Sequence, residues 1–233
     1  MISENFERTL ERIIKTSISA GRKPEEVKLL VVTKGHSINK IKLVIAAGAL
    51  RLGENYVEEA INKINQFPTN SGIEWHMIGH IQSRKASQVC EYFSYIHAVD
   101  SVKLANRLNN CAIDMNRIIP VLLECNVSGE ESKFGFNASL KNSWVGLNPL
   151  VEKILSMSNI KVCGLMTMAP YFLDVQSTRP YFALLRQLRD YFTKRFPSFE
   201  WSELSMGMSA DYEIAIQEGS TILRIGTAIM GER

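Results

Sequence analysis

Lys28-Leu29-Leu30-Val31-Val32-Thr33-Lys34 is an almost unbroken apolar run closed by a lysine. A strand with one wet face alternates polar and apolar residues, whereas a continuous apolar run belongs to a strand buried on both faces of a parallel sheet. Helical spacing follows from about Ile38 and ends at Gly48, the residue type that stops a helix most cheaply. The same alternation continues outward. Strand-like runs fall near 50–53, 73–78, 94–98, 119–127, 160–166, 201–205 and 221–225, with helical patterns at 55–66, 82–92, 101–114, 145–157, 178–195 and 209–218. Phe182, Leu185, Leu188 and Phe192 form the clearest stripe, with Pro180 in its first turn. Residues 129–144 are the longest irregular connection. Toward the N-terminus, Phe6, Leu10, Ile13, Ile14 and Ser17-Ile18 recur at helical spacing until Gly21 and Pro24.

Eight strands in an α/β order, each parallel pair needing a helical crossover, predict a (β/α)8 TIM barrel with an extra N-terminal helix. A doubly wound open sheet is the alternative, but no GxGxxG turn follows the first strand. No linker, internal repeat or low-complexity segment interrupts the pattern. The expectation is one domain over 1–233, with 1–26 its N-terminal helix and lead-in.

Composition excludes more than it assigns. The 233 residues carry a formal net charge of +3, with no basic stripe of the kind nucleic-acid binders present. No nucleic-acid partner is expected. Four cysteines without a CxxC pair point to reduced, buried thiols rather than zinc or redox chemistry. The N-terminus lacks the apolar block of a signal peptide, and no apolar run nears the ~18 residues that span a bilayer. A cytoplasmic protein without a membrane partner is the expectation.

In a barrel, functional groups come from the C-terminal ends of the strands, because only the following loops converge over one face. Those ends hold Lys34, Glu54-Asn55, Gly79-His80, Val99-Asp100, Asn126–Ser128, Met166-Thr167, Ser205-Met206-Gly207 and Arg224–Thr227. Lys34 is a nucleophile candidate, since desolvation at an apolar strand end favours the neutral amine; a lysine snorkelling to solvent is the alternative. Ser205–Ser209 and Gly226-Thr227 are small-residue turns after the last two strands, where backbone N–H groups can face an anion. Arg224, inside an apolar strand, needs a partner: either a ligand atom, or an internal salt bridge to Glu54 or Asp211. Asn55 is a ligand neighbour or a helix cap. His76 and His80 would lie ~13 Å apart on one strand, which argues against a shared metal. His76 is expected to be structural and His80 the nearer to a ligand, while Trp75, Trp144 and Trp201 are read as core or lid aromatics.

Taken together, Thr33-Lys34, Leu52–Tyr56, Trp75–Ser83, Val127–Lys133, Gly164–Thr167, Leu204–Ser209 and Arg224–Thr227 resemble the pyridoxal phosphate homeostasis protein family, similar in fold to the N-terminal barrel of alanine racemase. The match runs from about residue 27 to 233. The resemblance implies pyridoxal 5'-phosphate as cofactor, bound as a Schiff base on Lys34. It implies phosphate contacts from Ser205, Gly207, Gly226 and Thr227, and Arg224 facing the pyridine nitrogen. Asn55, His80 and Met166 complete the implied cofactor-binding set, and Lys133 matches a family lysine near the cofactor entrance. His36 departs from the pattern, because the family often has a second lysine there.

The implied function is holding pyridoxal phosphate for storage or delivery in vitamin B6 homeostasis, with apo pyridoxal phosphate-dependent enzymes as candidate recipients. An arginine beside the ring nitrogen makes the ring a weaker electron sink. Racemisation also needs an opposite-face acid/base, which the resemblance places on a further C-terminal β-domain that a chain ending at Arg233 is not expected to carry. No dedicated catalytic activity is expected; a weak alanine-type racemase is the alternative reading and a Schiff-base aldolase the third. A monomer is the expected state.

Overall fold

The computed structural model describes residues 1–232. Its core is a closed barrel of eight parallel strands: β1 (Lys28–Val32), β2 (Arg51–Glu54), β3 (Glu74–Met77), β4 (Tyr95–Val99), β5 (Ile119–Asn126), β7 (Ile160–Met166), β8 (Glu203–Ser205) and β9 (Ile222–Ile225). β4 pairs with β5 and β1 with β9, which closes the ring. The short β6 (Phe136–Asn137) adds to the end of β5 outside the ring. The apolar run that opens the barrel is buried on both faces, as its composition demands. Leu30 and Val32 point into the barrel with Ile78, Ala98, Leu122, Met166 and Ile222. Val31 points outward into the larger core beneath the helices.

The crossovers are α2 (Ile38–Ala46), α3 (Val57–Ile64), α4 (Ala86–Tyr92), α5 (Val102–Asp114), α6 (Asn148–Leu155), α7 (Arg179–Arg195) and α8 (Tyr212–Gln217), with a short α9 (Thr227–Met230) after the last strand. The stripe read from α7 is the one buried. The N-terminal helix α1 (Ile2–Ser19) lies against α2, α8 and α9. Its seam is Phe6, Thr9, Ile13, Thr16 and Ser17, narrower than the apolar stripe in its sequence. Ile14 and Ile18 lie off this seam and are exposed.

Two further differences have local causes. Residues 141–147 form a 3-10 turn and the α-helix begins only at Asn148, where Pro149 fits the first helical turn and would break a later one. The 129–144 connection contains β6, held by Ala138 N–H donating to Asn126 O. Among the described residues no helix is long and apolar enough to cross a membrane.

Closure between β7 and β8 depends on Gly164. A Cβ there would stand 1.9 Å from the Glu203 carbonyl oxygen and 2.9 Å from its backbone nitrogen, so any side chain would push the two strands apart. Gly164→Ala is expected to cost at least ~3 kcal/mol, the upper range for overpacking, read as a shifted urea midpoint. A variant as stable as the parent would mean that β7 and β8 are not packed this closely.

Candidate functional site

The strand C-terminal ends surround a cavity of about 570 Å³ lined by Val32, Lys34, His36, Asn55, Ile78, Met168, Met208–Ala210, Arg224, Gly226-Thr227 and Gly231-Glu232, a size that suits a small organic ligand. Lys34 leaves the end of β1 in a tight turn: Gly35 adopts φ +75° and His36 N–H donates to Thr33 O at 3.1 Å. A buried ion cluster holds this turn from below. Lys63 Nζ donates to Thr33 O at 2.7 Å and to Glu54 Oε1 at 2.7 Å, and Glu54 also accepts from Thr33 Oγ1 at 2.6 Å. Lys63 also pairs with Glu59, which accepts the Gly35 N–H at 2.6 Å. Lys63 thus secures the backbone on both sides of Lys34. Burial raises the Glu54 carboxyl, and its hydrogen bonds from Lys63 and Thr33 work against that.

Arg224 is 4% exposed and takes neutral acceptors rather than the salt bridges considered from sequence. Nη1 donates to Ser205 Oγ at 2.7 Å and Nη2 to the Thr167 carbonyl at 2.8 Å. Burial lowers its pKa to about 10, opposed by attraction to Asp211 and Glu124, so it stays charged at neutral pH. Glu54 is committed to Lys63, and Asp211 accepts the Met208 N–H at 2.6 Å.

That Asp211 contact shapes the loop after β8. Gly207 sits at φ +93°, where a Cβ would come 2.5 Å from Ala215 Cβ, and its carbonyl accepts the Arg224 N–H at 3.0 Å. The loop then presents Ser209, whose Oγ accepts N–H groups from Gly226 at 3.3 Å and Ala228 at 3.2 Å. The last two βα turns therefore meet at one point on the cavity wall, where two N–H donors of the final turn converge on the Ser209 hydroxyl. On the facing side, Asn55 Oδ1 is buried without a hydrogen-bond partner. Asn55 does not cap its helix: the cap position is Tyr56, with no side-chain bond.

The structure brings Lys34, Asn55, Arg224, Gly226 and Thr227 to one cavity and sets the other candidates apart. Met166 and Ser205 are fully buried in the barrel below it. Gly207 shapes its loop without lining the cavity. His80 lines a neighbouring depression with Lys133, pairs with Asp100 at 3.0 Å and stacks on Phe134 at 3.8 Å. Lys133 pairs with Glu130 and donates to the carbonyl of Met168 at 3.3 Å, at the cavity rim. Met168 and Ala210 are not among the sequence candidates, and Met208 and Ser209 enter there only as part of the Ser205–Ser209 turn. Ser209 could have been singled out: strand parity sends Ser205 inward, so the hydroxyl closing that loop is the one left to face a ligand. His76 is internal, as expected, and the three tryptophans are buried.

Two measurements probe the site's electrostatics. Lys63→Met strands the buried Glu54 carboxylate, so a loss of ~3–5 kcal/mol is expected in denaturant unfolding; a near-neutral change would refute the clamp. Glu124, 5% exposed, is pushed up to about 7 by burial and then by Asp100, with Arg224 acting against them. Its folded state binds the proton more tightly than the unfolded chain, so this group's stabilisation is full below about 4.5 and is lost as pH rises through about 7. Glu124→Gln should therefore match the parent near pH 4 and exceed it by ~3 kcal/mol at pH 8. Parallel stability profiles would contradict this.

The alanine racemase N-terminal domain family model matches residues 14–233. The pyridoxal phosphate homeostasis protein of Aquifex aeolicus is 39% identical over 230 residues, covering 99% of this chain and 97% of its own. That of Escherichia coli K12 is 36% identical over 238 residues, covering 100% and 97%. Among solved structures, PipY of Synechococcus elongatus, with PLP bound, superposes with a TM-score of 0.83 at 31% identity, covering 99% of this chain and all of that one. Alanine racemase of Clostridium difficile, at 13% identity and a TM-score of 0.70, shares the fold over 57% of its length. With matches spanning nearly the whole chain, this protein belongs to the pyridoxal phosphate homeostasis protein family, built on the barrel of the alanine racemase N-terminal domain.

Proposed function

We propose that this protein holds pyridoxal 5'-phosphate in the cavity at the strand C-terminal ends and serves cytoplasmic pyridoxal phosphate homeostasis by storing or delivering it. The observation that carries the reading is that Lys34, Arg224, Ser209 and Gly226 share one cavity, with two backbone N–H groups converging on the Ser209 hydroxyl. When bound, the cofactor supplies an aldehyde that a neutral amine captures reversibly, together with a phosphate dianion.

The residues present fit such a group. Ser209 and the N–H groups of Gly226 and Ala228 make a cradle in which phosphate oxygens would replace the contacts now made to the Ser209 hydroxyl. Gly226 leaves room there, since a Cβ would already reach 3.3 Å from Val32. Asn55 Oδ1 offers an unused acceptor, and Val32 and Ile78 supply apolar surface for a ring. Arg224 would face the ring nitrogen as a charged donor and keep that nitrogen unprotonated. Lys34 would hold the aldehyde carbon, its turn secured by Lys63 and Glu59. Such a site retains a reactive aldehyde without strengthening its electron-withdrawing chemistry, which suits a carrier. A monomer that hands the cofactor to apo enzymes completes the reading.

Borohydride reduction with pyridoxal phosphate, followed by peptide mass mapping, should place the added mass on the peptide containing Lys34. Lys34→Ala should lose that adduct and the accompanying visible absorbance while keeping its melting temperature. An adduct on another lysine, or none, would overturn the assignment.

A further inference from the structure

The barrel interior beneath the cavity carries a line of polar side chains that no step above uses. Ser205 Oγ lies 2.9 Å from His97 Nδ1, and His97 Nε2 lies 2.9 Å from His76 Nδ1. His76 Nε2 is buried without a hydrogen bond, standing 3.5 Å from Glu74 Oε2, and Glu74 accepts from Arg51 Nε at 3.1 Å. Ser205 and His97 are wholly buried and His76 is 3% exposed. Glu74, the first residue of β3, is half-exposed at the opposite end of the barrel from the cavity.

The two ends dictate the direction of the line. A guanidinium can only donate and an ionised carboxylate can only accept. Arg224 donates to Ser205 Oγ, so the serine proton is available for His97 Nδ1. His97 is then the Nε2–H tautomer and donates to His76 Nδ1, which leaves the His76 Nε2–H directed at Glu74. In the reverse order Ser205 would accept from both neighbours. Its own proton would then have no partner, since it makes no other hydrogen bond among the described residues, and a His76 lone pair would face a carboxylate. Burying such unmatched groups is costly. Desolvation lowers the pKa of both imidazoles and so favours their neutral forms, with Glu74 working against it at His76 and Arg224 adding to it at His97.

We propose that His97 and His76 are positioning residues for Arg224, acting through Ser205 along a one-way hydrogen-bond chain through the barrel interior whose last N–H points toward the Glu74 carboxylate. With Nη1 held by this chain and Nη2 by the Thr167 carbonyl, the guanidinium keeps one orientation, and the rest of its five N–H donors are left for the cavity. Ser205 then serves the arginine rather than the phosphate. The role in cofactor binding rests on the proposed function, whereas the chain itself can be read without cofactor.

Long-range 1H–15N correlation spectra of the labelled cofactor-free protein should show both imidazoles as neutral Nε2–H tautomers, and separate, slowly exchanging Arg224 Nη signals. A His97 Nδ1–H tautomer or an imidazolium at neutral pH would overturn the chain. His97→Phe should merge the Arg224 Nη signals, shift the absorbance maximum of the bound cofactor, and weaken pyridoxal phosphate binding about tenfold, the scale of one buried hydrogen bond. His97→Asn restores an acceptor toward Ser205 and should return affinity and Nη signals to within about threefold of the parent. Equal losses in both variants that follow only melting temperature would reduce His97 to a packing role and sink the proposal. A wild-type protein that shows the tautomers but binds no pyridoxal phosphate would refute the proposed function and leave the chain standing.

Discussion

A guanidinium inside a parallel barrel must be satisfied by the strands around it, and much of the site's order follows from how Arg224 meets that demand. Its hydrogen bonds reach a carbonyl just past β7 and a hydroxyl on β8. Its own backbone N–H ties β9 to the Gly207 carbonyl. The side chain that faces the cavity therefore also connects the last three strands of the ring. A charge that took a carboxylate partner here would be neutralised toward the ligand. Neutral acceptors leave the positive charge to act on whatever occupies the cavity.

Lys34 is held by the opposite device. Its turn rests on full charges, with Lys63 bridging Glu54 and Glu59 and bonding to the backbone beside the turn. Charges buried this deeply cost desolvation free energy that their attraction only partly offsets. The cluster is better understood as fixing geometry than as stabilising the fold. The amine thus departs from a rigid turn while its side chain remains half-buried at the cavity. Two elements that leave the adjacent strands β1 and β9 are thus positioned by different physics: charges from β2 and α3 for one, neutral acceptors on β8 and past β7 for the other.

The alternation of strands and helices was legible along the chain because each parallel strand is buried on both faces and each crossover on one. Boundaries shifted only where a local rule intervened: Pro149 at the start of α6, or the Asp211–Met208 contact that delays α8 until Tyr212. The motifs also picked out loops that border the cavity. They did not separate side chains that line the cavity from those that support it. Ser205 and Ser209 are four residues apart on the same connection, one sealed within the barrel and the other on the cavity wall. His80 and Asn55 each follow a strand end, yet they open on different depressions.

By itself, then, the order of residues determined the barrel, the two small-residue turns and the lysine at the first strand's end, because burial period and turn chemistry are local properties. Only the tertiary structure decided what Arg224 touches, that Lys63 underpins the lysine turn, and that two histidines from neighbouring strands extend the Arg224–Ser205 contact through the interior. Those contacts join residues as far apart as 108 positions. Whether a polar group there is satisfied depends on the closed ring of strands, which no local pattern encodes.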